Sequence, residues 1–417
     1  MTKYRRIMGH INYWLFLAVV ALLPFPQAPL RLVCVMWIVS WFLEARWLSK
    51  PEFRSPIISN IAIPFLCFGL WYAWHAVSGL WAADHAAWAW QMERYMTFGL
   101  LVPVGIWGLN NLYDWRQACR VLIWSCMVAV PFYIIAVTAF YLHPEWLEYF
   151  QWREPWEYEL PQNWIEFFGE NISQIKHRLF LCSVELFGAV MAWQLWRNEW
   201  KKLLPALLIM LSVIPLTGSR QAVMTFAVLL AIIISFELPQ RFSLRYSVFV
   251  MLMGIALGSV LLKYHPRMQD FHITDITEMR TISEEHDVRF NVWGVALRHP
   301  SDYMLHGLGG GQSTEYMLAG YQQMGRPDYC EKKFNSHNQY LEETIELGIF
   351  GLLFFVLIWV TIPLAAKNKG RQTAILLFAL FVLNMFTDCM FGRFCGIALW
   401  AVGLLLILLQ SDPKREQ

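Results

Sequence analysis

The chain of 417 residues is short of charge: only 15% of it is Asp, Glu, Lys or Arg. Its eight cysteines include no C-x-x-C pair and no metal-ligand spacing. That pattern excludes a disulfide framework and a zinc module. Most of the cysteines fall inside apolar runs, where the residue behaves as a small hydrophobe. Cys330 and Cys389 lie outside such runs, and a disulfide between them stays open. There is no internal repeat and no low-complexity tract, which sets solenoids and disordered tails aside. No D-x-D pair stands where a divalent ion would be needed. The net charge of +2 says nothing about partners, and no nucleic-acid partner is expected.

What the chain has is apolar residues, 57% of the total, and 22 tryptophans. Hydrophobic runs near the length of a bilayer core, about 20 residues each, recur from end to end. They predict an all-α, polytopic membrane protein in contact with the lipid bilayer, with about twelve transmembrane helices. The spans begin near Tyr13, Leu30, Ile57, Met96, Gln117, Leu179, Leu203, Gln221, Tyr246, Glu343, Thr373 and Phe394. Basic residues gather in alternate loops, such as "MTKYRR", "WRNEWKK", "PQRFSLR" and "AKNKGR". The opposite loops, such as "LPFPQAP", "PLTGSR" and "TDCMFGR", hold few. By the positive-inside rule both termini are expected in the cytoplasm. The first run follows "KYRR" without a small-x-small cleavage site, so it is expected to stay as an uncleaved helix.

Three regions are expected. Residues 1–262 carry spans one to nine, with a smaller outer segment at about 143–177. Residues 263–342 form a large outer loop, helical in part, and residues 343–417 carry spans ten to twelve and the tail. The smaller segment is crowded with Trp, Tyr, Phe and Glu. It suits an interfacial amphipathic element or, alternatively, a surface that stacks on sugars or grips lipid. The large loop exceeds what a mere connection needs and is expected to be the working part.

Four stretches bear on chemistry. In "LTGSRQAVMTF", Pro215 and Gly218 break one helix, Ser219 caps the next, and Arg220 falls in its first turn. A guanidinium at the positive end of a helix suits a phosphate, although an arginine that snorkels to the interface is the plainer alternative. In "SEEHDVRFNVWGVALRHP", Arg289 starts a helix that Pro300 follows; a local ion pair with Asp287 is the alternative. The consecutive "EEHD" does not share one helical face, so no metal is expected there. "HGLGGG" lacks the following Lys-Ser/Thr of a nucleotide loop and is expected to be a flexible turn before the short helix of "EYMLAGYQQMG".

The fourth stretch is "FNSHNQYLEETIELGIFG". Asn335 and Ser336 are cap-type residues, so His337 is expected in the first turn of the following helix. The positive end of that helix would disfavour an imidazolium, leaving a ring able to accept a proton. Glu342 and Glu346 share a face with Asn338, and Glu342 is a candidate to orient His337. The alternative is a histidine that merely orders the cap. A neutral base and several arginines, without nucleotide or metal, fit group transfer from a lipid pyrophosphate donor.

Those residues resemble the O-antigen ligase and polymerase superfamily. The resemblance rests on His337-Asn338, nine residues, then Gly348-Ile349-Phe350-Gly351; on "GSR" opening a span; and on the "R…W…ALRHP…GLGGG" stretch. It covers roughly residues 217–351. It implies a glycosyltransferase, an O-antigen ligase, with His337 as the essential histidine and Arg220 and Arg289 on the pyrophosphate. Arg178 is a lower-ranked third phosphate contact, with Asn338 and Glu342 in support. It also implies an undecaprenyl-pyrophosphate-linked O-antigen donor, a lipid A-core acceptor, an inverting reaction without metal, nucleotide or other cofactor, and an inner-membrane protein whose site faces the periplasm. Met224 stands where the family's arginine motif often has Leu. O-antigen polymerases and protein O-oligosaccharyltransferases share the donor and remain alternatives. A transporter of lipid-linked glycans fits less well, because the polar groups cluster at one face rather than at mid-bilayer.

Overall fold

The structure is a computed structural model of the chain, and it describes residues 3–44, 56–108, 113–142, 168, 171–173, 175–241 and 288–411. Among these residues the regular structure is helical, with no strand. The long helices are α1 (Lys3–Leu22), α2 (Gln27–Glu44), α3 (Pro56–Ser78), α4 (His85–Gly108), α5 (Trp115–Leu142), α6 (Arg178–Trp196) and α7 (Trp200–Leu211). The short α8 (Val213–Thr217) leads to α9 (Arg220–Arg241). After the undescribed stretch come α10 (Val288–Ala296), α11 (Ser313–Gln323), α12 (Pro327–Glu331), α13 (Gln339–Ala365), α14 (Asn368–Met385) and α15 (Phe394–Ser411). A helix thus stands at each expected span except the one near Tyr246, which lies outside the described residues. Seven are long and apolar enough to cross a membrane, counting α7 and α8 as one. The count of twelve is therefore not reached among the described residues. Most of the aromatic 143–177 segment and the "EEHD" stretch also lie outside them.

The chain forms two compact units. The first comprises Met1–Leu48 and Asn110–Gly254. Its centre is α6, which is 89% buried, whereas α9 is only 22% buried. Helices α5, α7, α8 and α9 all pack on α6, and α1 pairs with α2 and α5. The exposed residues Leu32, Val35, Met36, Val39 and Leu43 repeat along one stripe of α2. An apolar stripe left bare is what a lipid-facing helix requires. Polar groups inside the α1–α2 hairpin bond one another: Asn12 donates to Glu44, and Ser40 donates to Asn12.

The second unit comprises Ser49–Leu109 and Ile255–Gln417. Its central helix is α15, which is 94% buried. Helices α4 and α14 pack on α15, and α3 lies along α13. The described part of the large loop builds a small core of its own from Val292, Val295, Ala296, Tyr303, Met317, Tyr321 and Tyr329, closed by Ile345 of α13. Its buried hydroxyls are satisfied: Tyr303 donates to the Ala296 carbonyl at 2.6 Å and Tyr321 to the Phe334 carbonyl at 3.2 Å. Burial pushes the Tyr303 hydroxyl up to about 12, so it stays a donor.

Candidate active site

The helix that follows His337 begins later than its sequence suggests. Asn338 is the N-cap of α13, and its Oδ1 accepts from the amides of Tyr340 and Leu341 at 3.0 and 3.1 Å. The expected caps are engaged elsewhere. Asn335 Oδ1 accepts the His337 amide at 3.1 Å, and the Ser336 hydroxyl reaches the Asn338 carbonyl at 3.0 Å and Glu342 Oε2 at 2.6 Å. His337 is therefore not in the first turn. It precedes the cap, in the left-handed region at φ 46, where a side chain other than glycine is uncommon. The helix-end reason for a neutral ring does not carry over to a residue outside the helix.

A different group faces the imidazole. Nδ1 of His337 lies 3.7 Å from Oδ1 of Asp388, and the two side chains are 25% and 12% exposed. The ring is thus reachable on one side and held beside a largely covered carboxylate on the other. Phe334 packs against it at 5.6 Å between ring centroids.

Asp388 belongs to "TDCMFGR", the loop between α14 and α15, and that loop gathers the site. Arg289 Nε, one residue into α10, donates to the Thr387 carbonyl at 3.2 Å. Cys389 Sγ lies 3.5 Å from Ser336 Oγ and 3.7 Å from Glu342 Oε2. The Phe391 amide donates to Gln339 Oε1 at 2.9 Å, and Arg94 Nη1 donates to the Gly392 carbonyl at 3.0 Å. Four of the residues singled out from sequence, Arg289, His337, Asn338 and Glu342, therefore meet around this one short loop. Those contacts need "TDCMFGR" and the large loop to lie at the same end of the helices, as the charge pattern expects.

Glu342 does not supply the carboxylate nearest the ring. Its oxygens take the hydroxyls of Ser313 at 2.7 Å and Ser336 at 2.6 Å. The shared face read from the sequence is real, because Ser313 also reaches Glu346 at 2.8 Å. Cys330 and Cys389 are free thiols, so no disulfide joins them. Burial first, then the charges of Glu342 and Asp388, push the Cys389 thiol well above its ordinary range.

The glycine turn is fixed rather than flexible. Helix α13 is broken at Gly348 (φ 66, ψ −165). Only glycine fits there, since a Cβ would stand 2.5 Å from the Leu305 carbonyl oxygen. The break frees carbonyls that a membrane offers no water to satisfy. Residues of "MLHGLGG" and α3 take them: Leu308 N donates to Ile345 O, Gly309 N to Glu346 O, and Trp74 Nε1 to Leu347 O, each at 2.9 Å. In return the Ile349 amide donates to Met304 O at 2.8 Å. The glycine run and the break at Gly348 thus form one backbone joint, which fixes α13 against the loop that carries the site.

Arg178 and Arg220 belong to the other compact unit. Each is the first residue of its helix, α6 and α9 respectively, and each is half-buried. Gly218 ends α8 at φ 59, and Ser219 Oγ accepts the Ala222 amide at 3.3 Å, as the sequence leads one to expect. The contact of Cys182 with Thr217 at 3.2 Å sets the start of α6 beside the end of α8, so both arginines lie at one end of their unit.

Residues 205–356 match the model of the O-antigen ligase family, Wzy_C. This part of the chain is similar to the O-antigen ligase superfamily. No curated protein matches the chain. The matched stretch contains Arg220, Arg289, His337 and the Gly348–Gly351 pair; Arg178 and the Asp388 loop lie outside it. The match supports a function within the O-antigen ligase and polymerase superfamily, that of a glycosyltransferase-like enzyme in a membrane.

Proposed function

We propose that the protein is an O-antigen ligase that moves O-antigen polysaccharide from undecaprenyl pyrophosphate to an outer-core sugar of lipid A-core. The observation that carries this reading is His337, held at a positive φ beside Asp388, with Arg289 bonded to the adjoining Thr387. The imidazole Nε2 takes the proton of the acceptor hydroxyl. The acceptor oxygen forms its bond to the anomeric carbon as the bond from that carbon to the diphosphate oxygen breaks. One in-line displacement of this kind inverts the centre. Asp388 favours a proton on Nδ1 and so leaves Nε2 free to act as base.

Arg289 takes up the charge that grows on the diphosphate as it leaves, and Arg220 and Arg178 are proposed as further phosphate-binding residues. Asn338 sets the start of α13, and Glu342 steadies His337 through Ser336 rather than by touching the ring. No metal, nucleotide or cofactor enters the scheme. The site faces the periplasm of the bacterial inner membrane, with both termini cytoplasmic; the distribution of basic residues supports that orientation.

The test is a reconstituted transfer. Purified chain in chelator, without nucleotide, is expected to join lipid-linked O-antigen to lipid A-core. Strict dependence on an added divalent ion would contradict the role given to the arginines. A chain that lengthens the lipid-linked glycan and leaves lipid A-core bare is a polymerase instead.

A further inference from the structure

Helix α13 carries three glutamates in its first two turns, Glu342, Glu343 and Glu346, and the last two are 1% and 2% exposed. One hydroxyl lies between two of them. Ser313 Oγ is 2.7 Å from Glu342 Oε1 and 2.8 Å from Glu346 Oε1. A serine hydroxyl has a single proton to donate. If both carboxyls were ionised, one of these two contacts would set lone pair against lone pair with no hydrogen between them. The contact closes when one carboxyl keeps its proton and donates it to Ser313 Oγ, while Ser313 donates its own to the other.

Ser336 repeats the problem one turn away, since its one proton faces both Glu342 Oε2 and the Asn338 carbonyl. The second oxygen of Glu346 takes Gln91 Nε2, and the oxygens of Glu343 take Trp71 Nε1 at 2.8 Å and Gln339 Nε2 at 2.9 Å. Glu343 is thus supplied with N–H donors, whereas the Ser313 bridge is one donor short.

An independent feature points into the same cluster. His75 of α3 is wholly buried, and neither ring nitrogen has a hydrogen-bond partner among the described residues. Its Nε2 is aimed at Glu343 Oε2 from 3.5 Å. Polar groups left without a partner at such depth are costly, so the ring marks a place in the cluster that is short of a hydrogen bond. The other titratable groups around the cluster are Tyr95 and Arg94 of α4, Tyr321 of α11, and Asp388 and Cys389 of the α14–α15 loop.

We propose that these residues form a buried proton-binding site, in which one carboxyl proton is held across Ser313 between Glu342 and Glu346. The bound proton fastens α11 of the large loop to α13. Its loss leaves two carboxylates against one hydroxyl and loosens that joint. The site stands whether or not the chain is a ligase, since nothing in it depends on the substrate.

Infrared spectroscopy of the full chain in proteoliposomes tests it. At neutral pH the wild type is expected to show the C=O band of a hydrogen-bonded, protonated carboxyl that shifts in heavy water. The Glu346→Gln variant supplies the missing donor as an amide, so it is expected to lose that band. It should also keep its thermal stability on raising the pH, where the wild type declines. Should Glu346→Gln fail to fold, Ser313→Ala serves: the two carboxyls remain, and the band moves to the frequency of a more weakly bonded carboxyl. A wild-type spectrum without a protonated-carboxyl band would overturn the proposal. So would a band that neither variant changes.

Discussion

Asp388 Oδ1 lies 3.7 Å from Nδ1 of His337, and Arg289 bonds the carbonyl of the residue just before that aspartate. One short loop therefore orients the ring and anchors a guanidinium. At 3.7 Å the pair is longer than a hydrogen bond and acts as a charge contact. Asp388→Asn should leave insertion and folding intact and slow transfer by about 10²-fold, the lower end of what a positioned base contributes. Wild-type turnover in this variant would remove Asp388 from the site.

Arg220→Lys should lose most activity while the chain still reaches the membrane. A lysine keeps the charge but not the planar fork that grips two phosphate oxygens. If the variant works at the wild-type rate in the reconstituted assay, Arg220 is an interfacial anchor.

Gly348→Ala tests the backbone joint. Any side chain there meets the Leu305 carbonyl oxygen and must also adopt φ 66. Destabilisation of roughly 1–3 kcal/mol is expected from the backbone strain alone. Its signature would be a lower melting temperature and poor yield, with Gly392→Ala as a control, since the nearest atom to a Cβ there is 3.5 Å away. Equal stability of the two variants would mean that the break in α13 is not held by this contact.

Cys389 makes a prediction about pH. Its thiol is raised above the ordinary range by burial and by Glu342 and Asp388. An unfolded thiol ionises near about 8.5. Between that value and the higher folded one, the unfolded state binds fewer protons, so stability contributed below pH 8.5 or so falls as pH rises. Cys389→Ala should flatten that part of the curve, read by thermal unfolding from neutral to alkaline pH. The same thiol should resist iodoacetamide in the folded chain and react once unfolded.

Much of this was written locally in the chain. The break at Gly218, the Ser219 cap and the start of α9 at Arg220 follow from side chains within a few residues of each other, and the sequence reading places them correctly. Helix α10 is marked by its own spacing and by Pro300. The start of α13 is misread because three cap-type residues, Asn335, Ser336 and Asn338, compete within four positions, and tertiary partners decide among them: Glu342 takes Ser336, and Asn338 is left to cap. The partner of His337 was out of reach for a similar reason. Asp388 lies fifty-one positions away in a loop that the sequence marks by its shortage of basic residues and by Cys389. A lone aspartate between two apolar runs was the one available signal. The glycine run likewise reads as a loose turn until the freed carbonyls of α13 show what its amides are for.

The most direct measurement is the glycolipid profile of cells carrying His337→Ala in place of the wild-type chain. The account predicts normal membrane insertion, intact lipid-linked O-antigen polymer and surface lipopolysaccharide without O-antigen. Fully capped lipopolysaccharide from that variant would contradict it.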